Sequence, residues 1–414
     1  MRLRAPDGAP RPLRRPVRMV AAPRARFAEG TRAAPMALEK FRYPGLAGAR
    51  GWNTSAMKVV VTGASGSLGT AFLRAAARRP DWEVVGLARR VPDGRPPYDR
   101  AHWVPCDLDS DDAPDLLPKV FAGADAVVHL AWAIHPAVDE PPRNRTNIEG
   151  SQEVLAAVAD AGVPRLVCAS SVAAYTPAPR WTRVAEDWPR TGVPGSAYSR
   201  DKARLERLVE LFARQHPDVR VAVFRPCAVA QYDSGGQLAR WTLSPLLPPA
   251  VIGNRLLPVP LWDGLRVQAV HAADVADAIC LMLDHHAEGA FNLAAEPVLG
   301  VHDLAELFGG FRVPVPRRLV TGLALPTWRL GLQPMHPGWL TLADQAPLID
   351  TTRARAQLGW EPRHDAKEAL AELVAGMRDG SGTGSGPLAP RAAESWLERL
   401  AGIRLGRPSR QTQA

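Results

Sequence analysis

The run Lys58-Val59-Val60-Val61 passes directly into Thr62-Gly63-Ala64-Ser65-Gly66-Ser67-Leu68-Gly69, and Leu68 to Arg79 then carries a helical pattern. A β-branched strand, a glycine turn and a helix in that order leave few folds open. The glycines are spaced G-x-x-G-x-x-G. Gly63 permits a tight turn, Gly66 lets the backbone approach a ligand, and Gly69 lets the helix lie close to the strand. The helix start offers unpaired amides and a partial positive charge, which suit phosphate groups. Ser65, Ser67 and Leu68 sit on this turn as further candidate contacts.

The same alternation continues. Trp82–Leu87, His102–Val104, Ala126–His129, Leu166–Ala169 and Val219–Phe224 read as strands. Asn147–Ala161, closed by Gly162, and Ala197–Gln215 read as helices. Strands alternating with helices predict an α/β fold, a doubly wound parallel sheet with helices on both faces. After Arg225-Pro226 the pattern loosens into Pro- and Leu-rich stretches at 243–260 and 313–337. Gly380–Gly386 reads as a Gly/Ser linker, and Ala393–Ile403 as a short amphipathic helix.

Charge narrows the class of partner. The chain has 51 Lys/Arg against 42 Asp/Glu, a formal net charge of +9. Residues 1–56 hold twelve of the basic residues and three of the acidic ones, so removing them leaves 39 of each. The body is neutral, which argues against a nucleic-acid groove. That basic stretch reads as a disordered extension or an upstream start, expected to be dispensable, with Met57 opening the first strand. No run reaches the ~18 apolar residues of a membrane span. Cys106, Cys168, Cys227 and Cys280 lie far apart and match no metal spacing, so buried thiols in a reducing cytoplasm are expected, with no metal.

Tyr198 and Lys202 stand four residues apart on a predicted helix and project from one face. An unperturbed tyrosine is a poor base at neutral pH, and a neighbouring ammonium favours its phenolate. Upstream, Ser170-Ser171 ends the apolar run Leu166–Ala169. The glycine turn, the serine pair and Tyr198-Ser199-Arg200-Asp201-Lys202, in this order, resemble the extended short-chain dehydrogenase/reductase superfamily, the NAD-dependent epimerase/dehydratase family. The resemblance runs from about Met57 to about Glu361 and implies a Rossmann-type fold over 57–225. A smaller C-terminal substrate-binding lobe would occupy 226–365, with Gly289–Leu293 returning to the sheet, and 366–414 would hold a C-terminal helix, the linker and a tail.

The resemblance implies catalysis by Ser171, Tyr198 and Lys202, with Ser170 as the alternative serine. Ser171 would hold the substrate oxygen while Tyr198 moves its proton. Tyr198 and Lys202 would also meet the cofactor. Asp107 and Leu108 would lie at the adenine, Leu130-Ala131-Trp132 under the adenosine and Asn147 near the cofactor. The second strand ends in Ala88-Arg89-Arg90, where an acid would mark NAD. Two guanidiniums suit a 2′-phosphate, so NADP is expected over NAD. His271 matches a structural family segment, and His285-His286 a surface turn.

Two departures bear on substrate. The pyrophosphate-binding arginine of sugar-nucleotide epimerases aligns with Val267, leaving Arg266 one residue off. Ser171 is followed by Val172-Ala173 where glucose dehydratases carry an Asp-Glu pair. The expected function is NAD(P)-dependent hydride transfer at a hydroxyl or carbonyl carbon of a small molecule. A sugar-nucleotide epimerase with retained cofactor and a non-catalytic cofactor sensor are the alternatives. The expected partner is a small-molecule substrate, with neither nucleic acid nor membrane and with a homodimer as the candidate assembly.

Overall fold

The computed structural model describes residues 56–134, 145–244 and 247–390. The basic segment through residue 55 and the helix expected over Ala393–Ile403 lie outside them. Seven strands form one sheet: β1 (Met57–Thr62), β2 (Trp82–Ala88), β3 (Ala101–Pro105), β4 (Ala126–His129), β5 (Arg165–Ala169), β6 (Arg220–Pro226) and β7 (Gly289–Leu293). Their order is β7-β6-β5-β4-β1-β2-β3, and every pairing is parallel. Order reverses between β1 and β4, which opens a crevice beyond their C-terminal ends.

The strands are apolar on both sides because both faces are covered. Val59 and Val61 join one core with Phe72 and Ile279, whereas Val60, Val85 and Val127 join a second with Leu117, Val154 and Leu205. The first core lies under α1 (Ser67–Ala76) and α6 (Ala272–Asp284). The second lies under α2 (Ala113–Phe121), α3 (Gly150–Asp160) and α4 (Ala197–Gln215). This is the doubly wound sheet expected from the alternation. No element is expected from the sequence over α2, which carries Pro118 within the helix. The helix expected from Asn147 starts at Gly150, after a wide turn over Arg145–Glu149.

Beyond β6 come α5 (Gly235–Thr242), α7 (Val301–Leu307), α8 (Arg317–Arg329), α9 (Pro337–Gln345), α10 (Thr352–Leu358) and α11 (Ala366–Asp379). The segment Gly289–Leu293 does return to the sheet, pairing with β6. A buried ionic network braces that seam. Arg225 donates to both Glu206 oxygens (2.8 and 2.7 Å) and to the Tyr175 hydroxyl (2.6 Å), which donates to Asn292 Oδ1 (2.7 Å). Burial alone would raise Glu206, but the Arg225 guanidinium holds its carboxyl below the usual range.

One sequence expectation is corrected. Gly380–Gly386 is packed rather than a free linker: Ser385 and Leu388 are fully buried and Ser381, Thr383 and Ser385 all make hydrogen bonds. Glycine-rich composition signals backbone freedom in an isolated chain, and tertiary partners have removed it here. All four cysteines are free and buried, as expected. Among the described residues, no helix is long and apolar enough to cross a membrane.

Candidate functional site

The crevice is built where β1 meets β4. Gly63 has φ +68°, and a Cβ on it would lie 2.6 Å from the Ala131 amide nitrogen. Only glycine lets the turn and the loop after β4 approach so closely. A Cβ on Gly69 would likewise run into the Ala64 carbonyl, so the third glycine seats α1 against the turn. Gly66 caps α1, whose first turn holds no acid to neutralise its positive end. Ser67 faces a partner absent from the sequence reading: its hydroxyl shares a 2.8 Å hydrogen bond with that of Ser234, and Gln231 donates to it at 2.9 Å. No local motif marks Gln231 or Ser234, because tertiary folding alone brings them to the turn.

The loop after β4 is held by a relay of hydrogen bonds. The Ala131 amide donates to the Thr62 hydroxyl (3.3 Å), which lies 2.7 Å from His129 Nδ1. His129 Nε2 lies 2.9 Å from the Ser151 hydroxyl, which donates to the Asn147 carbonyl at 2.6 Å. Since Ser151 spends its proton on Asn147, His129 donates from Nε2 and accepts from Thr62 at Nδ1. Burial lowers the His129 pKa to about 3, so the ring is neutral. The Asn147 side chain brackets Ala133, accepting from its amide (2.7 Å) and donating to its carbonyl (2.9 Å). Asn147 therefore braces the loop that carries Leu130, Ala131 and Trp132.

Arg89 and Arg90 are exposed at the end of β2. Asp107 follows β3 and accepts from the Asp109 amide (3.2 Å). Leu108 is buried beside Gly150, where a Cβ would fall 2.8 Å from the leucine Cβ. These residues share the C-terminal edge of the sheet with the glycine turn.

Ser171, Tyr198 and Lys202 converge on the same edge. Ser171 accepts from the Ala173 amide (3.1 Å), leaving its proton available on the side of Tyr198, whose pKa it acts to lower. Ser170 instead donates to Glu206 at 2.5 Å and so belongs to the buried ionic network. Lys202 is buried, donates to the Ala169 carbonyl (2.9 Å) and lies 3.7 Å from the centre of the Trp132 ring. Burial lowers its pKa to about 8. The expected lowering of Tyr198 is not found: burial raises its pKa, outweighing the opposing effect of Ser171. Trp132 meets Tyr198 edge-on with centroids 6.5 Å apart, and Trp339 of α9 lies against it at 5.0 Å. Trp339, just beyond the Pro-rich stretch 313–337, belongs to no motif the sequence shows.

Two polar clusters lie outside this group. Asp344, on α9, accepts from Arg180 (2.7 Å) and the Trp262 indole (2.9 Å) and pairs with Arg317 (2.9 Å). Buried Arg266 donates to the Asp344 and Ala346 carbonyls at 3.1 and 3.2 Å. Two arginines thus meet one carboxylate near α9, and a third bonds the backbone beside it. His271, Asp274 and His364 also lie together. His271 Nδ1 accepts from the Ala273 amide, and Asp274 accepts from the amides of Arg363 and His364. These bonds engage atoms a metal would need, and the first of them caps α6.

Comparisons with known proteins agree with the fold. A UDP-glucose 4-epimerase of Azospirillum brasilense is 27% identical over 339 residues, 76% of this chain and 89% of that protein. An uncharacterized protein of Mycobacterium tuberculosis is 27% identical over 333 residues, 79% of this chain. The chain spans only 31% of the length of that relative. A solved UDP-glucose-4-epimerase from Stenotrophomonas maltophila, with bound NAD and formylated UDP-arabinopyranose, superposes with a TM-score of 0.60 at 21% identity, covering 78% of this chain and 98% of that one. The model of the NAD dependent epimerase/dehydratase family matches residues 59–294, more than half of the sequence, and the chain belongs to that family.

Proposed function

We propose that the protein uses a nicotinamide dinucleotide, NADP in preference to NAD, to interconvert a hydroxyl and a carbonyl on a small molecule. The observation that carries this reading is the grouping of Tyr198 and buried Lys202 around Trp132, with Ser171 beside them, on the edge where Gly63 meets Ala131. The residues fit the cofactor: a cradle that a Cβ would fill, a helix start without acid, and two arginines where a 2′-substituent is read. When bound, the dinucleotide supplies the hydride donor or acceptor. Ser171 orients the substrate oxygen, and Tyr198 gives it a proton or takes one from it. Because burial keeps the phenol protonated at neutral pH, the site suits proton delivery to a carbonyl oxygen. The Lys202 ammonium then stabilises the phenolate left behind. Asp107 and Leu108 would border the adenine, while Arg89 and Arg90 would take the 2′-phosphate.

A specific observation favours a second reading, sugar-nucleotide epimerisation. Arg180, Arg266 and Arg317 outnumber the single carboxylate of Asp344, and the buried Arg266 Nε has no hydrogen-bond partner among the described residues. Trp339, Leu342 and Ala346 place this cationic end of α9 in one apolar cluster with Tyr198. A phosphate-bearing substrate would match that charge. A screen of carbonyl compounds and sugar nucleotides, followed by nicotinamide absorbance and product analysis, separates the two. Net turnover of added dinucleotide supports the reductase. Epimerised product with cofactor retained through purification supports the epimerase. Dinucleotide binding without turnover of any compound would overturn both.

A further inference from the structure

The C-terminal Gly/Ser segment ends against the turn expected to face phosphate. Ser385 lies 320 positions from Ser65 and donates its hydroxyl to the Ser65 carbonyl at 2.5 Å. A second chain of hydroxyls reaches the next peptide. Thr70 donates to the Gly66 carbonyl (2.8 Å), lies 2.9 Å from the Tyr98 hydroxyl, and that hydroxyl lies 2.6 Å from Thr383 Oγ1. Since Thr70 spends its proton on Gly66, Tyr98 donates to Thr70 and Thr383 donates to Tyr98. The Ser65 carbonyl is therefore held directly from Ser385, and the Thr70 hydroxyl, which with the Thr70 amide holds the Gly66 carbonyl, is reached from Thr383 through Tyr98. A trans peptide is planar, so fixing the Gly66 carbonyl also fixes the Ser67 N–H that opens α1.

The segment touches the other cofactor-facing loop as well. A Cβ on Gly384 would strike the Asp93 carboxylate, and one on Gly386 would lie 3.5 Å from the Arg90 guanidinium. Its own ends are fastened: the Gly236 amide donates to the Ser381 carbonyl (2.9 Å), Gln237 to that of Pro387 (3.0 Å), and Leu388 is wholly buried. Serine and threonine hydroxyls between glycines let the chain enter this narrow space and still bond.

We propose that Gly380–Leu388 is a positioning strap of the dinucleotide site, which orients the Ser65–Gly66–Ser67 peptides and supports the loop carrying Arg90. This rests on the dinucleotide reading above. Ser385→Ala and Thr383→Val, each in the full chain, should weaken NADP and NAD alike by about 3- to 10-fold, the worth of one hydrogen bond. Thr383→Ser keeps the hydroxyl and should restore affinity. Gly384→Ala must displace Asp93 and should weaken NADP more than NAD. Binding is read by tryptophan fluorescence titration, with urea midpoints recorded to show that each variant is folded. Variants within twofold of the wild type for both dinucleotides would overturn the strap while leaving the cofactor assignment intact. Wild-type protein that prefers NAD but loses affinity in Ser385→Ala would keep the strap and remove the NADP assignment. Wild-type protein that binds neither would overturn both.

Discussion

Residues 57–225 and residues 226–390 both reach the cleft, by different means. In the first region the residues that matter come in short motifs with local causes. Gly63 must be glycine because of φ +68° and Ala131, and Tyr198 and Lys202 meet because helix geometry sets i and i+4 on one face. In the second region Gln231, Trp339 and Ser385 arrive singly, each brought by the path of the chain around it. Residues governed by local geometry leave patterns in sequence, whereas residues that only complete a surface leave none.

The sharpest way to test the first region is Tyr198→Phe, which removes one hydroxyl and preserves the ring. Turnover should fall by about 10²- to 10⁴-fold, the range for a general acid, while dinucleotide affinity stays within a few fold. Single-turnover rates and binding titrations on the same preparation check this. A variant retaining more than a few per cent of the wild-type rate would move the proton transfer elsewhere.

The seam between the regions is tested by Glu206→Ala. It strands Arg225, 2% exposed, without its carboxylate, and should cost about 3–5 kcal/mol by urea unfolding. The wild-type contribution has a defined sign. Because folding lowers the Glu206 pKa, its stabilisation is present above the carboxylate's ordinary value and is lost as pH falls through the folded one. A cost below 1 kcal/mol would mean that Arg225 does not depend on this carboxylate.

Lys202 provides a test with the opposite sign. Its folded pKa of about 8 lies below the ordinary 10.5, so burying the ammonium costs stability below pH 8. That cost is relieved as pH rises from 8 towards 10.5. Lys202→Met should therefore gain on the wild type by at most about 3 kcal/mol at pH 7, and the gap should narrow above pH 8. Urea midpoints at pH 7, 8 and 9.5 would show it. A gap that does not change with pH would mean that the ammonium is not held against its titration.

Most of the sheet was legible because short apolar runs alternate with helical patterns along the chain. Ala126–His129, Ala197–Gln215 and Gly289–Leu293 match their elements to the residue. The resemblance pointed to Ser171 over Ser170, but what Ser170 does instead was not legible, since its partner Glu206 lies 36 positions away. The raised pKa of Tyr198 was also hidden, because the sequence shows the nearby lysine but not the burial that outweighs it. The Gly/Ser segment misled for the same reason: composition describes an isolated chain, and its bonds come from Ser65 and Tyr98.

The central claim is that the edge between β1 and β4 holds a dinucleotide and that the end of β2 reads its 2′-phosphate. Equilibrium titration of the full chain with NADP and with NAD tests it most directly, alongside the Arg89→Ala/Arg90→Ala double variant. One site per chain is expected, with NADP bound at least about tenfold more tightly than NAD, since a charged hydrogen bond is worth ~1.5–3 kcal/mol. The double variant should lose that difference while keeping its affinity for NAD. Equal or tighter binding of NAD by the unaltered protein, or no binding of either, would contradict the account.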